Sequence, residues 1–364
     1  MNELSLSIIK VAVTGTSSFL LAFLLTPALL RFLYAKRLWR KKVREQALGG
    51  GTLPTFQKFH AVGETNIPRF GGMLVWFVPP AMALLLFLFS QTGWVLEKLN
   101  FLSRGQTWLP LATLLAASAV GFADDLLQVT GPPTRTFLRK IWEAGGKHIA
   151  GGLSLRYRFL LVAIIGLSGG WWFYGKLGLD SLHIPGNGDL FIGIWMIPFF
   201  LLIMLATYSG GVIDGLDGLA GGTFASIFTA FGVIAFARGQ IDLAAFCIAI
   251  VGALLAFLWY NIPPARFYMG ETGMMGLTAA LTVVAFLTDS VLVLPIIGFL
   301  LVLESGSVIT QLLSKKFLKK KLLIAAPIHH HLEALGWPQE QITMRFWLIG
   351  IVMAIVGVGI RLLG

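Results

Sequence analysis

The sequence predicts an all-α protein that crosses a membrane about ten times. Of its 364 residues, 56% are apolar and only 12% are charged. The apolar residues form long uninterrupted runs, and about 20 such residues in a helix cross a bilayer. The runs are too long and too continuous for the alternating strands of a membrane β-barrel. We therefore expect one transmembrane domain over residues 1–364.

Ten apolar runs account for the expected helices. Their predicted bounds are 8–34, 73–90, 107–123, 159–174, 189–207, 218–237, 242–260, 273–288, 290–310 and 346–360. The first run is too long for the core of a signal peptide and lacks a convincing cleavage site, so we expect it to be retained. The eighth and ninth runs are the least distinct pair, because only the polar segment Thr288-Asp289-Ser290 marks the boundary between them.

The net charge of +11 follows from membrane topology and does not require a nucleic-acid partner. With these spans, 21 of the 28 Lys and Arg residues fall in odd-numbered loops. Because basic loops stay in the cytoplasm, we predict cytoplasmic odd loops and external termini. The candidate catalytic loops are 35–72, 124–158, 208–217, 261–272 and 311–345.

Two adjacent carboxylates, Asp124 and Asp125, end the predicted third span. Such a pair binds a divalent cation, or one member serves as a base in the field of the other. The alternative is a solvated helix end without a function. Charge is expensive near hydrocarbon, so ionisable groups at span ends are candidates for a functional site.

A second acidic motif runs from Asp214 through Gly215 and Leu216 to Asp217. If the motif is helical, the two carboxylates share a face and reach one phosphate-bound metal ion. The alternative is that one aspartate caps the sixth span, and both interpretations can hold together. A cap needs one aspartate and not two, so the pattern favours function.

Residues 261–273 form a predicted loop, because two consecutive prolines break the helix. Glu271 stands between two glycines where the next span begins. Tyr268 has an aromatic face on which a nucleobase can stack. The alternative for Tyr268 is anchoring at the membrane interface.

Three consecutive histidines, His329, His330 and His331, follow a basic stretch. Neutral histidines bind metals or exchange protons, and protonated histidines pair with phosphate. Consecutive side chains point in different directions and cannot all face one metal ion. Phosphate contact or proton transfer is therefore favoured over a zinc site, and a polar loop is the alternative.

Together these segments resemble the polyprenyl-phosphate N-acetylhexosamine-1-phosphate transferase family. The resemblance extends from Pro68 to Trp347, and its most specific part is Ala326-Pro-Ile-His-His-His-Leu-Glu333 with Gly336-Trp337-Pro338. That part is typical of the peptidoglycan branch. The resemblance implies ten spans, external termini, a cytoplasmic Mg²⁺ site in the bacterial inner membrane, and a homodimer.

The resemblance also assigns roles to the candidate residues. Implied catalytic residues are Asp124, Asp125, Asp217 and His329; implied Mg²⁺ ligands are Glu271 and Asp217; implied substrate-binding residues are Asp214, Asn261, Tyr268, Gln311, His330, His331 and Arg158. Tyr268 would stack on uracil and Gln311 would lie on the nucleotide side.

The sequence departs from the family pattern at several of these places. Glu271 stands where the family has Asp, Gly211 where it has Asn, and Gln128, Arg158 and Glu64 where it has Lys. Lys58 or Arg69 are candidates for the positive charge that Glu64 does not supply. Arg keeps the charge of Lys but not its geometry.

The reaction implied by the resemblance joins two anionic substrates. Phospho-MurNAc-pentapeptide would pass from UDP-MurNAc-pentapeptide to undecaprenyl phosphate, forming lipid I and UMP. The alternatives are a GlcNAc-1-phosphate transferase that uses UDP-GlcNAc, and a non-catalytic transporter or scaffold for lipid-linked substrates. The expected partners are these substrates and membrane lipid, with no nucleic acid.

Overall fold

The computed structural model describes residues 2–40, 63–91, 95–131, 139 and 152–364. Parts of the first and third predicted cytoplasmic loops, including Lys58, lie outside the described residues. Twelve α-helices lie wholly within the described residues: α1 Glu3–Ala35, α2 Met73–Ser90, α3 Trp108–Thr130, α4 Leu155–Gly175, α5 Met196–Ser209, α6 Leu219–Ala237, α7 Ile241–Asn261, α8 Gly270–Leu287, α9 Leu294–Ile297, α10 Phe299–Leu313, α11 Ile328–Ala334 and α12 Gln339–Leu363.

The prediction of an all-α polytopic membrane protein is confirmed. Within the described residues, nine helices are long and apolar enough to cross a membrane. The predicted ninth span, 290–310, is divided at Gly298 into the short helix α9 and the longer helix α10. Pro295 lies in the first turn of α9, and proline starts a helix more readily than it continues one.

The predicted third span, 107–123, stopped short of the C-terminal end of the helix. Helix α3 continues past residue 123 and ends only at Gly131, whose φ of 82° suits glycine. Polar residues from Asp124 onward lower the hydropathy without breaking the helix. Asp124 and Asp125 therefore lie inside α3 and not at its end.

The predicted fifth span began too early. Residues Ser181–Ile184 (β1) and Gly188–Phe191 (β2) pair as an antiparallel hairpin, with Leu182 opposite Leu190. The helix α5 begins only at Met196, after a short 3-10 turn. Apolar side chains at 190–195 therefore belong to the hairpin and the turn.

Helix α8 forms the centre of the bundle. In its most apolar 18-residue window, 89% of the residues are buried. It packs against α2, α3 and α5, and small residues allow the close approach. A Cβ at Gly121 on α3 would collide with the backbone of Glu271, and one at Gly276 on α8 would collide with Ser118. This packing brings the polar part of α3 against the start of α8.

Candidate functional site

Asp124 and Asp125 are both fully buried between helices. Asp125 accepts a hydrogen bond from the Thr272 backbone N–H through Oδ2 at 2.8 Å. Asp124 accepts from the Leu153 backbone N–H through Oδ1 at 2.6 Å. One carboxylate thus points toward α8 and the other toward the start of α4. The alternative of a solvated helix end is wrong for this pair.

The second acidic motif is a loop and not a helix. A 3-10 turn, Gly210–Ile213, precedes it, and α6 begins after Gly218, whose φ of 78° is left-handed. No side chain caps α6, so the capping interpretation is wrong. The helical pairing of the two aspartates is wrong as well, because the motif turns away from a helical path.

Both aspartates of this motif reach the next loop instead. Asp214 Oδ2 accepts from the Gly270 backbone N–H at 3.2 Å, and Asp217 Oδ2 accepts from the Ala265 backbone N–H at 2.9 Å. Burial raises the pKa of Asp214 to about 6, against the lowering effect of the nearby Arg69 guanidinium. The Asp214 carboxyl group is therefore harder to ionise than an aspartate in water.

Asn261 ties the two loops together. Its side chain is buried, accepts from the Gly218 backbone N–H at 3.0 Å and donates to the Phe267 carbonyl at 2.8 Å. The structure thus places Asn261 as a link between the second acidic motif and the loop that carries Tyr268. Its implied role in substrate binding stays a prediction.

Arg158 bridges two carboxylates at the start of α4. Its Nη1 lies 2.6 Å from Glu271 Oε1, and its Nη2 lies 2.8 Å from Asp124 Oδ2. The Nη1 contact is a hydrogen bond and the Nη2 contact is an ion pair, so the planar guanidinium contacts two carboxylates at once. The resemblance implies that Arg158 binds substrate, and here its guanidinium contacts protein carboxylates.

A second arginine network connects two of the departures from the family pattern. Arg40 forms an ion pair with Glu64 and donates from Nε to Gln128 Oε1 at 2.9 Å. Gln128 in turn donates to Asp124 Oδ2 at 2.6 Å. Arg40 was not singled out by the sequence, where it is one of several basic residues in the first loop. The network connects the positive charge of Arg40 to Asp124 through the Gln128 side chain.

The acidic residues fit a divalent cation by charge and by donor type. Two guanidinium groups, from Arg69 and Arg158, pair with three carboxylates of the site, from Asp125, Asp124 and Glu271, and the carboxylates of Asp214 and Asp217 accept from the neighbouring loop. A surplus of buried negative charge is unfavourable without a cation. Carboxylate oxygens are the ligands that Mg²⁺ and Ca²⁺ prefer.

The described carboxylates of this site do not form a compact set of ligand atoms. Among the described residues, the group whose ligand atoms all lie within 4.8 Å of one another is His183, Asp189 and Asp289. That group lies on the β-hairpin and beyond the far end of α8. A cation bound by Glu271 would therefore compete with Arg158 for the same carboxylate oxygen.

Tyr268 lies half-buried beside the acidic residues. Its backbone N–H donates to the Pro68 carbonyl at 2.8 Å, and its carbonyl accepts from the Gly71 N–H at 2.9 Å. Burial raises the pKa of the Tyr268 phenol, and the Asp217 carboxylate adds to the rise. The phenol is therefore neutral, and its ring is fixed at the edge of the site.

Gln311 is buried and its amide is occupied by backbone groups. Nε2 donates to the Leu323 carbonyl at 2.9 Å, and Oε1 accepts from the Leu322 and Leu323 N–H groups at 3.0 Å each. These bonds hold the segment after α10. The implied role of Gln311 on the nucleotide side stays a prediction.

The three histidines point in three directions, as expected for consecutive residues. His329 is fully buried and pairs with Glu304, with 2.8 Å between Nδ1 and Oε2. His330 pairs with Glu333 at 2.6 Å, and His331 Nδ1 accepts from the Ile324 N–H at 3.2 Å.

Glu304 is a residue that sequence analysis missed. A signal was present, because Glu304 is the one charged residue in the run 290–314. An ionisable residue within a membrane span is a functional-site candidate by default.

The architecture and the site define a class of protein. A polytopic helical bundle holds buried carboxylates and arginines at one end, and residues 107–289 match the model of glycosyl transferase family 4. The chain belongs to this family. The resemblance drawn from its sequence motifs is confirmed.

Similarity to individual relatives extends over nearly the whole chain. The chain is 34% identical to a phospho-N-acetylmuramoyl-pentapeptide-transferase of Geobacillus thermodenitrificans, over 94% of the chain and 95% of the relative. It is 33% identical to one of Chloroflexus aurantiacus, over 89% and 85%. It is 32% identical to one of Lactiplantibacillus plantarum, over 97% and 99%.

Proposed function

We propose that this protein transfers phospho-MurNAc-pentapeptide from UDP-MurNAc-pentapeptide to undecaprenyl phosphate, producing lipid I and UMP. The observation that carries the proposal is the identity of 32–34% to transferases of this name over nearly their full length. The carboxylates and arginines of the site support it, because carboxylate oxygens could hold a divalent cation against the phosphate groups of both substrates. The site lies on the cytoplasmic side of the bacterial inner membrane, in a protein that forms a homodimer.

The net reaction forms one P–O bond and breaks another. An oxygen of the lipid phosphate becomes bonded to the phosphorus of the phospho-sugar, and the diphosphate bond to UMP breaks. Glu271 and Asp217 would hold a Mg²⁺ ion, which would supply positive charge to the diphosphate and make UMP a better leaving group. Mn²⁺ would serve in its place, because both ions take oxygen ligands.

Charge neutralisation and alignment supply most of the rate, because two anions must meet. Asp124 or Asp125 deprotonates or orients the lipid phosphate. Arg158 restrains Asp124 and Glu271 at 2.8 and 2.6 Å. Asp214 and Asn261 keep the two site loops in register through the bonds to Gly270 and Gly218.

The nucleotide and the diphosphate lie on the side of these loops opposite the lipid phosphate. Tyr268 stacks on uracil, with Gln311 beside the nucleotide. His329 exchanges a proton with a phosphate oxygen, while His330 and His331 contact the phosphates. The lipid enters from the bilayer and the nucleotide from the cytosol, so both meet only at the interface.

The decisive experiment measures UMP release from purified protein with undecaprenyl phosphate. UDP-MurNAc-pentapeptide and UDP-GlcNAc are compared side by side, with Glu271→Gln as the inactive control. Release from the muramoyl substrate alone supports the proposal. Release from UDP-GlcNAc alone replaces it with the other transferase, and release from neither leaves a transporter or scaffold.

A further inference from the structure

Glu304 on α10 and His329 on α11 form an enclosed pair. Both side chains have no exposed surface, and His329 Nδ1 lies 2.8 Å from Glu304 Oε2. A carboxylate within a membrane span is unfavourable unless it is paired or hydrogen-bonded. Among the described residues, the ion pair of Glu304 is with His329.

This hydrogen bond determines which nitrogen of His329 is available. A carboxylate only accepts, so Nδ1 carries the hydrogen and Nε2 is the nitrogen left for other contacts. Nε2 is buried and makes no hydrogen bond within the part of the chain that the structure describes. A buried ring nitrogen without a partner is unfavourable until a ligand supplies one.

The free nitrogen is aimed at the second acidic motif. A Cβ built on Gly215 would meet His329 Nε2 first, and then ring atoms Cε1 at 2.9 Å and Cδ2 at 3.2 Å. Gly215 lies between Asp214 and Asp217, so the ring tip reaches the backbone of that loop. A glycine is needed there because any side chain would displace the imidazole.

The two helices are also joined without this pair. The Ile328 backbone N–H donates to Ser307 Oγ at 3.0 Å, and Ser307 Oγ donates to the Glu304 carbonyl at 2.7 Å. The start of α11 is thus anchored on α10 by a separate link. Loss of the Glu304 carboxylate removes the contact to His329 and leaves this anchor in place.

We propose that Glu304 is a positioning residue that holds His329 with Nε2 directed at the phosphate groups beside the Asp214–Asp217 loop. The proposal rests on the function proposed above. The Glu304 carboxylate fixes the orientation of the ring, so that Nε2 faces a phosphate oxygen of the substrate, to which a protonated ring donates. Glu304 itself touches neither substrate.

The test is a double-mutant cycle with Glu304→Gln and His329→Gln. Gln keeps the volume of Glu and an acceptor for Nδ1–H but lacks the charge. Partners that orient a functional histidine contribute about 10- to 100-fold to activity, so Glu304→Gln should lower kcat by that factor. The double variant should lose no more kcat than His329→Gln alone, because both changes disrupt the same Glu304–His329 contact.

Two further measurements separate positioning from folding. The melting temperature of Glu304→Gln should stay close to the wild-type value while kcat falls, because the Ser307 anchor between α10 and α11 remains. Ser307→Ala, which removes the anchor, should lower the melting temperature and leave kcat near the wild-type value. The matched control is Glu340→Gln, the same change at an exposed residue of α12, with unchanged kcat.

The proposal is overturned if Glu304→Gln keeps the wild-type kcat while His329→Gln is impaired. It is also overturned if the two losses multiply in the double variant. UDP binding by calorimetry provides a readout without turnover, with the same non-additive loss expected. If the wild type binds UDP and the variants show this non-additive loss, but no UMP is released, the proposed function fails and the positioning role stands.

Discussion

The Arg158 guanidinium lies between two carboxylates, with Nη1 2.6 Å from Glu271 Oε1 and Nη2 2.8 Å from Asp124 Oδ2. Glu271 belongs to α8 and Asp124 to α3, so one side chain on α4 joins three helices. Breaking a buried pair costs more than forming it contributes, because an uncompensated charge remains.

Removal of Arg158 should therefore destabilise the protein. Asp124 would be left fully buried without its ion partner, for which a loss of about 3 kcal/mol is typical. We expect Arg158→Ala to lower the melting temperature in detergent by several degrees, with partial recovery on adding Mg²⁺. Arg156→Ala, an exposed residue in the same helical turn, is the control. Equal melting temperatures for the two variants would show that the bridge does not form.

Metal removal should abolish the reaction. The five carboxylates outnumber the two arginines around them, and oxygen donors suit Mg²⁺ and Mn²⁺. We expect UMP release to stop in excess chelator and to return with either ion. Glu271→Gln should lose activity far more than membrane expression. Unchanged turnover in chelator would contradict the metal site, and an equal loss of expression would make Glu271 structural.

Turnover should depend on both aspartates of the α3 pair. Asp124→Asn and Asp125→Asn each keep an acceptor for the backbone N–H groups of Leu153 and Thr272. The charge is lost, so turnover should fall by about two orders of magnitude, the scale of acid–base roles. The control is Asp242→Asn, which breaks an ion pair with Lys10 at the end of α7 away from the site. Near-wild-type rates in both α3 variants would leave the pair without a catalytic role.

Tyr268 should distinguish the two substrates. Aromatic stacking on a base contributes about 1–3 kcal/mol by alanine substitution, which corresponds to roughly 5- to 150-fold in affinity. Tyr268→Ala should weaken UDP-sugar binding by that factor, while Tyr268→Phe should be mild. The apparent affinity for undecaprenyl phosphate should change little. The opposite pattern, with lipid use impaired and the nucleotide unaffected, would place the ring against lipid.

The orientation in the membrane rests on the basic odd loops. A tag at either terminus should be accessible from outside the inner membrane in intact spheroplasts. A tag in the loop 261–272 should be protected until the membrane is opened. Accessibility of the C-terminal tag only from the cytoplasm would invert the topology and separate the site from its soluble substrate.

Local sequence was sufficient for the fold class and for most candidate residues. Long apolar runs predict membrane helices because hydropathy is a property of each segment by itself. The same property misplaced the end of α3, since hydropathy falls at Asp124 but the helix continues until Gly131. Hydropathy measures transfer to lipid, whereas a helix ends where its backbone must turn.

The contacts among these residues were decided by the tertiary structure. Arg158 meets Glu271 113 positions away, and Glu304 meets His329 25 positions away. No periodicity relates residues on separate helices, because their distance depends on how α3, α4, α8, α10 and α11 pack. Sequence by itself therefore determined which groups carry charge at the membrane face. Packing decided that Arg158 faces carboxylates, that the Asp214–Asp217 loop faces the next loop, and that a buried Glu304 holds His329.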